Sequence, residues 1–130
     1  MDTWFTDAKL GIFLHWGLYS VAAGEWEGRR IREGSYAEQI GLQFKIPNRE
    51  YEQLARRFSA PAFAAEEWVA QALAAGAKYL VVTAKHQDGF CLFKTRATPY
   101  NTVDATPFGR DVVGELAEAC RRAGLRFGVY

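Results

Sequence analysis

The chain of 130 residues holds only two histidines, His15 and His86, and each stands at the end of a short apolar run. An imidazole can accept a proton, ligate a metal, or donate and accept hydrogen bonds at once. Neither histidine is accompanied by a GxSxG nucleophile elbow, so a Ser-His-Asp assignment has no anchor. Neither stands in HxH or HExxH spacing, and Cys91 and Cys120 form no CxxC pair, so no metal site is expected. Without a Walker or GxGxxG pattern there is no phosphate cradle, and no cofactor is expected. The remaining polar groups are neutral or cationic donors with a few carboxylates, of which Glu25 and Asp88 are the best placed. Such a set suits hydroxyl recognition, because each hydroxyl donates and accepts together. Glu25-Trp26 puts a carboxylate beside an aromatic face; a surface glutamate next to a packing tryptophan is the equally open reading. Asp88, just ahead of Gly89, reads as a group that caps a turn.

The elements that must position these groups follow from hydrophobic pattern. Residues 9–16 (KLGIFLHW) and 78–84 (KYLVVTA) are apolar almost throughout, as parallel strands buried on both faces are. Residues 126–130 (RFGVY) open a third. Between the first two lies a long loop over residues 17–47, with one short helix near residues 35–39. Tyr51, Leu54, Ala55 and Phe58 mark one stripe of a helix. A second helix spans residues 64–75, with Glu66 and Glu67 complementing its dipole and Gly76 ending it. Asp111 is a plausible N-cap for a third, running to Ala123, with Val112, Val113, Leu116, Cys120 and Ala123 on its inner side. Strands alternating with helices imply right-handed βαβ units and a parallel sheet. Ligand groups in such sheets gather at the carboxyl ends of strands, where both histidines and Tyr130 fall. A chain that stops where a buried strand begins is expected to be truncated.

Bulk properties narrow the classes. Apolar residues make up 49% and charged residues 24%, a globular rather than a disordered balance. A net charge of +1 gives no reason to expect nucleic acid, and no apolar stretch approaches the length of a membrane span. Four tryptophans, six tyrosines and nine phenylalanines fit a large aromatic core, although sugar C–H faces also stack on such rings. The two cysteines read as buried free thiols. Met1-Asp2-Thr3-Trp4-Phe5 has no basic segment or apolar core, so a true start at Met1 implies no secretory signal and a cytoplasmic protein. An upstream loss leaves periplasmic, secreted and lysosomal locations open.

Together the motifs resemble glycoside hydrolase family 29, the α-L-fucosidases. The resemblance is carried by Lys9-Leu10-Gly11-Ile12-Phe13-Leu14-His15-Trp16-Gly17-Leu18-Tyr19-Ser20, by Glu25-Trp26 and by Ala75-Gly76-Ala77-Lys78-Tyr79. Thr83-Ala84-Lys85-His86-Gln87-Asp88-Gly89-Phe90, Arg110-Asp111-Val112-Val113-Gly114-Glu115 and Gly124-Leu125-Arg126-Phe127-Gly128-Val129-Tyr130 complete it. It implies an α/β fold, the N-terminal portion (about three strands) of a (β/α)8 TIM-like barrel, with residues 1–130 forming part of one catalytic domain. It further implies exo-acting, retaining hydrolysis of terminal α-L-fucose, through a carboxylate nucleophile and a second carboxyl group as acid and base. Both would lie beyond Tyr130, so residues 1–130 alone are expected to be inactive. By motif match, His15, Glu25, Trp26, His86, Gln87 and Tyr130 would bind substrate, a fucosylated glycan or glycoside, with both imidazoles and the Glu–Trp pair converging on one concave rim. Gln87 stands where many relatives carry a second histidine; it hydrogen-bonds similarly but does not titrate. The segment over residues 17–47 is short for the family, which leaves linkage and aglycone preference open, as oligomeric state is.

Two other readings stay in play. One is a non-catalytic carbohydrate-binding protein on the same scaffold. The other is a barrel isomerase whose strand-end histidines move protons.

Overall fold

The computed structural model describes residues 3–130; Met1 and Asp2, which carry the reading of the N-terminus, lie outside them. Trp4–Ala8 forms a short helix, α1, and Ile12–Leu14 the first strand, β1. Helix α2 (Tyr19–Ala22) leads into a hairpin of β2 (Glu25–Trp26) and β3 (Arg29–Arg30). A 3₁₀ turn at Ala37–Gln39 runs into α3 (Ile40–Gln43), and α4 (Asn48–Tyr51) continues as a 3₁₀ segment over Glu52–Arg57. Then come α5 (Ala65–Ala74), β4 (Tyr79–Val82), α6 (Thr102–Ala105), α7 (Val112–Ala123) and β5 (Arg126–Val129). Among the described residues no helix is long and apolar enough to cross a membrane.

Strands β1, β4 and β5 pair in parallel in that order. Ile12, Leu80 and Phe127 stand in register, as do Leu14, Val82 and Val129. Alternation along a strand then sends Leu80 and Val82 to one face, where both are buried in the core with Val69 and Ala72 of α5 and Leu116 and Cys120 of α7. Helix α7 is placed by its ends. The Asp111 carboxylate accepts from the Gly114 N–H at 2.7 Å, and Gly124 turns the chain in the left-handed region at φ +69°. Its inner stripe is Val112, Leu116, Ala119 and Cys120. Ala123, expected on that side, sits exposed in the last turn, where the chain already reverses. Tyr51, Leu54, Ala55 and Phe58 are all buried as one stripe, although most of that segment is 3₁₀ rather than α. Cys91 and Cys120 are free and buried.

The opposite face of the sheet differs from expectation. Phe13, in register with Val81 and Gly128, is 49% exposed. The first strand is therefore open around Phe13 on the side away from α5 and α7, while the α1 rings of Trp4 and Phe5 pack on Tyr79 farther along that face. The hairpin, α3 and α6 were not foreseen either. Elements of two to four residues carry no hydrophobic period, and local caps set them. Asn101, for instance, accepts from the N–H groups of Val103 and Asp104 through its side chain.

Candidate functional site

His15 and Trp16 are neighbours in sequence and leave β1 on opposite sides. Trp16 packs among Phe58, Phe63 and Trp68, with ring centroids 5.1 to 5.3 Å away. His15, two residues beyond Phe13, stacks on that ring at 4.8 Å. The strand ends are tied together by Thr83, whose buried hydroxyl accepts from the Trp16 N–H at 2.9 Å and donates to the Trp16 carbonyl at 2.9 Å. The Tyr19 hydroxyl meets the same oxygen at 3.1 Å, and burial pushes the Tyr19 pKa up to about 12. Gly17 permits this approach, since a Cβ there would lie 2.7 Å from the Tyr19 ring.

Past β4 the chain turns sharply. The Gly89 N–H donates to the His86 carbonyl at 3.1 Å, with Gly89 at φ +75°. Asp88 fixes the turn from both oxygens, one accepting from the Phe90 N–H at 3.1 Å and the other from the Tyr51 hydroxyl at 3.0 Å. Burial pushes the Asp88 carboxyl above its ordinary range, against the opposing pull of these hydrogen bonds. Its expected capping role is thus the observed one.

This turn brings His86 over the sheet end. Its ring lies 5.8 Å from that of His15 and stacks on Tyr130 at 5.4 Å. Tyr130, 59% exposed, continues the ladder: its N–H donates to the Val82 carbonyl and its carbonyl accepts from Ala84, both at 2.9 Å. A third polar group joins, which sequence reasoning missed. Glu38, in the 3₁₀ turn, brings a carboxylate oxygen to the imidazoles, so that one ligand atom each from His15, Glu38 and His86 lie within 4.8 Å of one another. Among the described residues, the side chains of these three make no hydrogen bond or ion pair, and His86 Nδ1 is buried with no partner. Polar atoms aimed at one point and left unpaired are equipped to receive a ligand that carries hydroxyls or charge.

The other predicted residues are placed elsewhere. Glu25 and Trp26 line a separate groove of about 570 Å³ with Val21, Arg30 and Arg57, and neither histidine reaches it. Glu25 instead faces Arg30 across the hairpin at 3.6 Å, with both side chains largely in solvent. The expected convergence of the Glu–Trp pair with the imidazoles is corrected here. Its cause is the tight turn through Glu27 (φ +49°) and Gly28 (φ +74°), which closes the pair on its own hairpin. Glu38 escaped notice because Gln39, not an aromatic residue, follows it. The short helix foreseen around residues 35–39 was the one available signal. Gln87 is exposed and belongs to a third setting. It lines a cavity of about 560 Å³ with Glu38, Asp88, Tyr51 and Tyr100, adjoining the imidazoles through Glu38.

Comparison with known proteins gives a consistent result. The family description Alpha-L-fucosidase matches residues 1–130. Rat tissue alpha-L-fucosidase is 38% identical over 138 residues, which cover all of this chain and 29% of that protein. Human plasma alpha-L-fucosidase is also 38% identical, again over 29% of its length. The chain thus spans under a third of these curated relatives. The unliganded alpha-L-fucosidase AlfC from Lactobacillus casei superposes with a TM-score of 0.94 at 52% identity, covering 98% of this chain and 39% of that one. A Bacteroides thetaiotaomicron alpha-L-fucosidase of family GH29, trapped as a covalent intermediate with 2-fluoro-fucosyl fluoride, gives 0.91 at 37% identity, covering 97% and 28%.

Proposed function

The chain belongs to the α-L-fucosidase family, and from that premise we propose that its protein removes terminal α-L-fucose from glycans or glycosides with retention of configuration. In this reading residues 1–130 form part of a (β/α)8 barrel domain. The half-exposed face of the parallel sheet around Phe13 supports it, being the face that a closed barrel would fill. His15, Glu38 and His86 bind sugar hydroxyls, Tyr130 offers an aromatic face, and Gln87 contributes from the adjoining cavity. Glu25 and Trp26 would meet substrate only from the neighbouring groove. The single observation that carries the reading is the convergence of two imidazoles and one carboxylate, all unpaired, at the strand ends.

The chemistry follows from the donors. A neutral imidazole supplies one donor and one acceptor, and a carboxylate accepts only, so together they fix both ends of neighbouring hydroxyls. An epimer with one hydroxyl reversed leaves such groups buried and unpaired, and that rejects it. Retaining hydrolysis needs two carboxyl groups about 5–5.5 Å apart across the scissile bond. Among the described residues Glu38 is the one carboxylate that joins the imidazoles, and both oxygens of Asp88 are committed to its turn. We therefore assign the nucleophile and the acid/base to residues outside this stretch.

The test is hydrolysis of 4-nitrophenyl α-L-fucopyranoside by the complete open reading frame that carries residues 1–130. NMR should show α-L-fucose as the first product. Fucose binding without turnover would favour a non-catalytic carbohydrate-binding protein, and neither binding nor turnover would end the proposal.

A further inference from the structure

We propose that His15, Glu38 and His86 also form a site for a divalent transition metal of the zinc class, and that its occupancy excludes sugar. The exclusion rests on the sugar-site reading above; the metal binding does not. Two imidazoles and a carboxylate make a three-ligand set that leaves a coordination position open, a combination zinc accepts. With metal–ligand bonds of about 2.0–2.2 Å, donors around a tetrahedral ion stand roughly 3.4 Å apart. Here all three stand within 4.8 Å of one another before any ion binds. The remaining closure needs only side-chain rotation. His15 is exposed, with its ring stacked on Phe13 at 4.8 Å, and among the described residues Glu38 makes no ion pair. His86 is held by its stack on Tyr130, with a buried nitrogen that no group among the described residues satisfies.

Among the described residues this is the only trio of histidine, cysteine or acidic side chains brought so close. Imidazole nitrogens favour Zn²⁺ and Cu²⁺ over Mg²⁺ and Ca²⁺, which prefer oxygen. An ion here would take the same lone pairs that sugar hydroxyls need, so metal and fucose compete without a second site or a change of shape.

Titration of the metal-stripped complete protein with zinc chloride, followed by calorimetry, tests this directly. One ion per chain is expected, with affinity falling about tenfold or more in His15→Ala and in Glu38→Gln, since even outer-shell changes weaken metal sites on that scale. Glu25→Gln should bind zinc as the parent does. Saturating zinc should raise the apparent Kd for L-fucose in proportion to its occupancy. Absence of binding overturns the site, as does binding that survives unchanged in both His15→Ala and Glu38→Gln. Zinc held by these residues with no effect on fucose would support the metal site and count against the sugar placement instead.

Discussion

The hairpin around Glu25 and the strand ends around His15 both set polar groups beside aromatic rings, yet they are assembled differently. The hairpin is closed within six residues, and Glu25 finds its partner Arg30 there, in an exposed pair of the kind that contributes little. The strand ends gather His15, Glu38, His86 and Tyr130 from four distant stretches of chain, held by the parallel ladder, Thr83 and the Asp88 turn. Among the described residues, the side chains of His15, Glu38 and His86 have no hydrogen-bond or ion-pair partner. A locally closed element satisfies itself, whereas side chains brought together by long-range register can be left poised for something else.

The contrast can be broken most forcefully at its foundation. Trp16→Ala should cost about 3–5 kcal/mol in thermal melts by emptying the aromatic cluster. His15→Ala, one residue away on the other face, should stay within about 0.5 kcal/mol of the parent. Equal losses would mean that the histidine belongs to the core. Thr83→Val removes the oxygen that receives the buried Trp16 N–H, for an expected loss of about 1–3 kcal/mol in denaturant melts. A neutral result would release the strand ends from that tie.

The Asp88 turn makes the strand ends sensitive to pH. Folding raises the Asp88 pKa above its ordinary 3.8, so the fold favours the protonated acid. Its contribution is therefore fully present below the ordinary value and lost as pH rises through the raised one. Melts of wild type and Asp88→Asn across that window should show the wild type's relative stability declining toward neutrality. A rising difference would show that hydrogen bonds from Phe90 and Tyr51 outweigh burial. Smallest of all, Arg30→Ala should change stability by less than about 0.5 kcal/mol, as an exposed hairpin pair predicts.

Much of this architecture is legible from residue order. The two apolar runs and the capped helix at Asp111 announce a parallel sheet backed by helices, and strand ends are where both histidines belong. What hydrophobic pattern cannot carry is the path between β1 and β4, where elements of two to four residues depend on turn geometry. Glu25 drew attention because Trp26 stands beside it. Glu38 did not, because its importance arises from a 3₁₀ turn returning to imidazoles that are far away in sequence. Local composition advertises a neighbour, and only the folded path supplies a distant one.

In the function proposed above, Glu38 rather than Glu25 joins the two histidines in holding the sugar. Calorimetric titration of L-fucose into the complete protein and its Glu38→Gln and Glu25→Gln variants tests it most directly. Affinity is expected to weaken about tenfold or more in Glu38→Gln, the scale of a lost charge-assisted hydrogen bond, with Glu25→Gln within about twofold of the parent. A full loss in Glu25→Gln beside an unaffected Glu38→Gln would contradict it.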